Sequence, residues 1–206
     1  MKEHSLLVQK TTRYYTLGNL EEASKLLVVL HGYGQLPQFF IRKFQSLIDK
    51  GYFVVAPEGL HRFYLEGTSG RVGASWMTRE ARIDDIQDNL VYLKSLTDYF
   101  LSEKNFENVY LLGFSQGGAT ASRFYSLYEN LFSTCVLWAS VFPEDVPLQL
   151  DDKKLHFQFV VGTEDPYFPK ETIDKLIQDY KTKGIKTFVF NGVHTIDVAL
   201  LNQVFE

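Results

Sequence analysis

The hydrophobic pattern of the chain changes character after its first twenty residues. From Leu6 to Gln9, and again from Thr12 to Leu17, polar and apolar positions alternate, which predicts a hairpin at a sheet edge. Short apolar-rich runs then take over: Leu26 to Leu30, Tyr52 to Ala56, Asn108 to Leu112, Thr134 to Trp138, Leu155 to Val161 and Ile185 to Phe190. Runs of this kind read as strands covered on both faces, as in a parallel sheet. Between them, apolar residues recur three and four apart. Helices are therefore predicted over Pro37 to Lys50, Arg79 to about Glu103, Gln116 to Tyr128, Pro169 to Lys183, and from about Thr195 onward. In the longest, Ile83, Ile86, Leu90, Leu93, Leu96 and Phe100 form one stripe that should be buried. The alternation predicts an α/β fold with a mostly parallel, doubly wound sheet and helices on both faces, with any site at the carboxyl ends of the strands.

One stretch does not fit the pattern. From Gly59 to Thr78 glycines alternate irregularly with aromatics, including Phe63, Tyr64 and Trp76, and the reading is a long loop of the kind that is usually functional or mobile.

Composition narrows the class. The chain has 206 residues, 45% hydrophobic and 15% aromatic, enough for a single domain over 1–206 with a substantial core. Net charge is −4 and the 21 basic residues are scattered, so nucleic acid and anionic membranes are not expected partners. No run approaches the ~18 apolar residues of a membrane span, and Leu6-Leu7-Val8 falls far short of a signal-peptide core. The expectation is a soluble, cytoplasmic protein with no integral membrane association. Cys135, the sole cysteine, reads as a core residue and cannot form an intrachain disulfide.

Candidate chemistry begins at Gly113-Phe114-Ser115-Gln116-Gly117-Gly118, between a strand and a helix. Small residues two before and two after the serine allow a sharp turn with the hydroxyl at its apex, a nucleophile elbow. Alone the string is weak, since composition supplies Gly-x-Ser-x-Gly in about one such chain in fifteen. A serine hydroxyl also needs a base and an acid to orient that base, following in the order serine, acid, histidine. Asp165 stands just past the strand ending at Val161, and His194 just past the strand ending at Phe190. Glu164 is an alternative acid; Asp165 is favoured because Pro166 restricts its backbone to an extended shape. Among the other histidines His4 is terminal, His61 lies in the irregular stretch and His156 begins a strand. Asp197 reads as a first-turn helix residue. Oxyanion donors are assigned to the backbone N–H groups of Gln116, at a helix N-terminus, and of Tyr33, in the turn His31-Gly32-Tyr33-Gly34. His31 itself reads as a loop-ordering group.

Leu30-His31-Gly32-Tyr33-Gly34, Gly113-Phe-Ser-Gln-Gly-Gly, Gly162-Thr-Glu-Asp-Pro and Gly192-Val-His194 together resemble the phospholipase/carboxylesterase group of α/β-hydrolases, which includes acyl-protein thioesterases. The resemblance spans nearly the whole chain. It implies the α/β-hydrolase fold without a large cap domain, with Ser115 as nucleophile, Asp165 and His194 completing a triad, and Tyr33 and Gln116 as oxyanion donors. It implies small ester or thioester substrates and no metal or organic cofactor. The chain departs from the group at Gln35, where an acidic residue is common, and at Trp76-Met77-Thr78, where Trp-Phe-Asp is frequent. Both departures bear on the acyl pocket, for which Trp76, Met77 and Phe168 are the candidate lining residues. With Ala139 to Lys154 too short for a cap domain, that pocket should be open and shallow, covered only by the 59–78 stretch.

Overall fold

The computed structural model describes residues 1–146 and 156–206. The first half runs β1 (Tyr14–Leu17), β2 (Lys25–Leu30), α1 (Pro37–Phe40) leading into a 3₁₀ helix (Ile41–Lys50), β3 (Tyr52–Pro57), β4 (His61–Glu66), β5 (Ser69–Ser75) and α2 (Arg82–Glu103). The second runs β6 (Asn108–Phe114), α3 (Gln116–Leu127), β7 (Thr134–Trp138), β8 (Phe157–Gly162), α4 (Lys170–Thr182), β9 (Lys186–Phe190) and α5 (Val198–Val204). Seven strands form the main sheet in the order β1-β3-β2-β6-β7-β8-β9. All neighbours are parallel except the edge pair β1 and β3.

The apolar-rich runs are explained by helices on both faces. Along β2, Leu26, Val28 and Leu30 join one core and Leu27 and Val29 the other. The first core packs under α2, α3 and α4 through Leu93, Phe124 and Ile173; the second packs under the 3₁₀ helix and α5 through Phe44 and Leu201. Each face thus receives alternate side chains of the same strand, so a half-polar pattern would leave one core unfilled. The chain passes from β2 outward to β3, then returns to place β6 on the other side of β2. That reversal opens a crevice past the carboxyl ends of β2 and β6, where open α/β sheets bind their ligands.

Four expectations need correction. The N-terminal hairpin does not form: only Tyr14–Leu17 pairs, antiparallel with β3, while Leu6, Leu7 and Val8 are exposed and outside any strand. Three consecutive apolar residues cannot all face one side of a period-two strand, so the segment gains little by pairing. The supposed irregular loop is largely a two-stranded hairpin, β4 with β5, in which most side chains of β4 are exposed. Backbone pairing rather than burial defines it, so it carries no hydrophobic alternation to read. In α2, Ile83 is exposed and the inward positions of the first turns are Asp85 and Asn89. The segment 37–50 is α-helical only at its start and 3₁₀ beyond Phe40. Leu155, expected in β8, and part of the 139–154 connection lie outside the described residues.

Candidate active site

Ser115 joins β6 to α3 with φ 52° and ψ −121°, a left-sided conformation that costs a non-glycine residue about 1–3 kcal/mol. Neighbouring backbone holds it there. Ser115 N–H donates to Trp138 O at 2.9 Å, and Gly118 N–H donates to Ser115 O at 2.9 Å. The turn brings α3 hard against β2: a Cβ on Gly117 would lie 2.3 Å from Leu30 O, so no side chain fits. The first turn is as close, since a Cβ on Gly32 would meet the Cβ of Ser115 at 3.2 Å. The elbow and the first turn therefore face each other across the crevice.

Asp165 and His194 are brought together from two loops. Glu164 N–H donates to Gly192 O and Thr163 N–H to Phe190 O, each at 2.9 Å, which pins the loop after β8 to the loop after β9. Asp165 is buried, and its Oδ2 lies 2.7 Å from His194 Nδ1 while its Oδ1 accepts from Tyr167 N–H at 3.0 Å. A carboxylate only accepts, so Nδ1 carries the imidazole proton and Nε2 is left as the acceptor. The imidazole ring is gripped between Phe114, 4.8 Å away, and Tyr167, 4.5 Å away. Ser115 Oγ has no hydrogen-bond partner among the described residues; nucleophile–base contacts of this kind commonly tighten only with substrate bound. Glu164, the rival acid, is exposed, and Asp197 caps α5 by accepting from Leu200 N–H at 2.7 Å.

The opposite wall is a web of backbone clamps. His31 is fully buried; its Nδ1 lies 2.8 Å from Gly32 O, and its Nε2 accepts from Gly59 N–H at 3.0 Å. Burial pushes this imidazole down to about 4, against the hydrogen bond to Gly32 and the Glu58 carboxylate, which pull it upward. Neutral His31 thus fastens the first turn to the end of β3. Trp76 donates from Nε1 to His31 O at 2.8 Å, and its ring lies 5.1 Å from the imidazole. The Gln116 side chain accepts from Trp76 N–H at 3.0 Å and donates to Met77 O at 2.8 Å, tying the elbow to the end of β5. Gly34 N–H to Ala74 O, at 2.9 Å, and Ala74 N–H to Gln35 O, at 3.1 Å, complete the seam. Among the described residues the N–H groups of Tyr33 and Gln116 have no acceptor, and both belong to the turns that face each other. Such unclaimed donors can take a developing oxyanion.

The candidate pocket residues fare differently from expectation. Trp76 has no exposed surface and Met77 little; Trp76 supports the first turn through His31 O, and Met77 meets the Gln116 amide and Arg123. Phe168 is half-buried against the core. Sequence reading missed the side-chain role of Gln116 and the ring of Tyr167 over His194; the only signals were an amide beside the serine and an aromatic two residues past Asp165. It also missed Asp85, which accepts from Thr78 N–H at 3.1 Å and pairs with His61 at 2.9 Å, and Asn89, which donates to Trp76 O. Among the described residues no group of three or more histidine, cysteine, aspartate or glutamate side chains is placed to hold a metal ion, and no helix is long and apolar enough to cross a membrane.

Comparison with known proteins bears on the fold and the family. Among solved structures, the chain is similar to esterase PE8 (TM-score 0.67, 19% identity, covering 95% of this chain and 100% of that one). It is similar to a carboxylesterase from Mesorhizobium loti (0.69, 16%, 98% and 97%) and to Zea mays acyl-protein thioesterase 2 (0.68, 15%, 94% and 96%). At these identities the likeness is one of fold. No curated protein sequence matches it. The family model for serine hydrolase (FSH1) matches residues 20–198, a span that contains the elbow, the first turn, Asp165 and His194, and the chain belongs to that family.

Proposed function

We propose that this protein is a serine carboxylesterase that hydrolyses carboxylic esters or thioesters through an acyl-enzyme. The observation that carries the reading is the 2.7 Å contact between His194 Nδ1 and Asp165 Oδ2, on the same edge of the sheet as a serine held at φ 52°. His194 Nε2 takes the proton of Ser115 Oγ as the oxygen attacks the ester carbonyl. The resulting oxyanion is received by the N–H groups of Tyr33 and Gln116, each such donor typically worth about 3 kcal/mol in the transition state. The imidazolium, oriented by Asp165, then protonates the leaving alcohol or thiol as the carbonyl–leaving-group bond breaks. A water enters, gives its proton to His194 and attacks the acyl-enzyme; the acid departs and Ser115 regains its proton.

The test is fluorophosphonate labelling of the intact protein with peptide mapping, followed by turnover of p-nitrophenyl esters of increasing chain length, a thioester and an aminoacyl amide. Labelling is expected at Ser115 alone, with the esters or thioester turned over and the amide not. Labelling elsewhere or nowhere removes the proposed nucleophile. Preference for the amide turns the reading to a peptidase, and ligand-raised melting temperature with single-turnover hydrolysis only would turn it to a sensor.

A further inference from the structure

Beside the first turn, between the 3₁₀ helix and the β4–β5 hairpin, lies a cavity of about 420 Å³. Leu36, Phe39 and Phe40 form one wall, Leu65 and Val72 the other, and the backbone of Gly34 and Gln35 the floor. Leu65 rests over Gly34, where a Cβ would meet its Cδ2 at 3.1 Å. Gly34 is two residues from Gly32, which abuts Ser115, so the cavity opens within roughly 7 Å of chain from the nucleophile's neighbour. At the ~30 Å³ that a water-sized group occupies, it has room for on the order of a dozen non-hydrogen atoms.

The position of the cavity fixes which part of a substrate it takes. In the sheet order, β2 and β3 lie on one side of β6, while β8 and β9, with Asp165 and His194, lie on the other. The leaving group must face His194, which protonates it. A group running toward Gly34 is on the opposite side of Ser115, and that group is the acyl chain.

The lining is apolar with few exceptions. Besides Gln35, whose Oε1 is taken up by Gly32 N–H at 2.9 Å, these are two cations, Lys43 of the 3₁₀ helix and the exposed Arg71 of β5. Neither is within ion-pair distance of a carboxylate among the described residues, and no acidic residue lines the cavity. Glu66, the hairpin's carboxylate, packs over Gly70 instead. A purely hydrocarbon acyl chain would gain nothing from two cations in the lining, whereas a carboxylate can accept charge-assisted hydrogen bonds from them, bidentate ones from a guanidinium.

We propose that the cavity selects acyl chains ending in a carboxylate, so that the substrates are half-esters or half-thioesters of dicarboxylic acids. The proposal rests on the esterase reading above. It is tested by comparing kcat/KM for mono-p-nitrophenyl adipate and for its methyl ester, a neutral analogue of nearly the same shape. The free acid should be preferred by about tenfold or more at low salt, and less as salt screens the cations. Arg71→Glu and Lys43→Glu should each bring that ratio to one or below, and Arg71→Lys should retain most of it. Because each variant is measured on both esters, any loss of folded protein cancels in the ratio. A wild-type ratio of one or less overturns the proposal, as does a high ratio that both charge reversals leave intact. Failure to turn over either ester while fluorophosphonate still labels Ser115 overturns the cavity assignment alone. Failure of both turnover and labelling removes the nucleophile and the cavity assignment together.

Discussion

Two imidazoles stand past the carboxyl ends of sheet strands, His31 after β2 and His194 after β9, on either side of Ser115. Both use Nδ1 to reach an oxygen, at 2.8 and 2.7 Å. The partner makes them different. His31 meets a neutral carbonyl, spends its other nitrogen on Gly59 N–H and is sealed from water. His194 meets the Asp165 carboxylate and keeps Nε2 open, with part of its ring accessible. A carboxylate partner stabilises the imidazolium that proton transfer creates, whereas complete desolvation beside backbone dipoles opposes it. In the proposed mechanism one histidine changes charge, whereas the other is held neutral by its burial.

The largest expected effect breaks the comparison if the two sites are alike. His194→Ala should lower kcat by about 10⁴ or more, because it removes the proposed base, while shifting Tm by only a few degrees. His31→Asn should do the reverse, keeping a measurable kcat and losing stability, since Gly59 N–H and the support of Trp76 lose their partner. Equal kcat losses in the two variants would mean that His31 also takes part in proton transfer.

A second test uses pH on stability alone. The unfolded imidazole of His31 titrates near ~6.5 and the folded one near about 4. Its contribution is complete above ~6.5, falls as the unfolded chain takes up a proton that the folded protein refuses, and stops changing below about 4. That loss should be on the order of 3 kcal/mol across the window. Urea unfolding at several pH values should show this slope in the wild type and a shallower one in His31→Asn. Parallel curves would mean that His31 is already charged in the fold.

The two sites also differ in how far sequence revealed them. Ser115, Asp165 and His194 each follow an apolar strand, so strand ends alone suggested a shared edge. The inner strands β2, β3, β6, β7 and β8 were legible for a related reason, being buried on both faces. The clamp around His31 was not. The ring nitrogens meet the backbone of Gly32 and Gly59, and Trp76 Nε1 meets the backbone carbonyl of His31; backbone atoms leave no residue-type signature. The hairpin flanked by Gly59 and Trp76 was hidden because most side chains of β4 face solvent, and Trp76 could not be told from a pocket wall until its burial was known.

Gln116 sharpens the contrast, because on the His31 side its backbone and its side chain have separate tasks. Its N–H is a proposed oxyanion donor that every substitution except proline retains. Its amide holds Trp76 N–H and Met77 O; Gln116→Ala would leave the Trp76 N–H without a partner, while Met77 O keeps the Ser75 hydroxyl. The expected cost is about 1–3 kcal/mol of stability for the orphaned donor, with kcat reduced by roughly tenfold as the first turn loosens. A loss of kcat without a loss in stability would place the amide itself on the substrate.

The smallest effect tests whether the His194 side has a purely structural acid of its own. Asp197 is three residues from His194, yet its carboxylate is committed to Leu200 N–H at the start of α5. Asp197→Ala should cost about 1 kcal/mol, the usual penalty for an N-cap, and leave kcat/KM within about twofold. Asp197→Asn should recover most of that stability, because an amide oxygen caps as well as a carboxylate does. The same exchange at Asp165 cannot be neutral: an amide can present its NH₂ to Nδ1 and hold the imidazole in the wrong tautomer, with its proton on the nitrogen that should accept from Ser115. Proximity in sequence to the base therefore counts for nothing unless the carboxylate faces Nδ1, and the pair Asp165→Asn and Asp197→Asn separates the two acids by chemistry that neither position along the chain nor net charge can imitate.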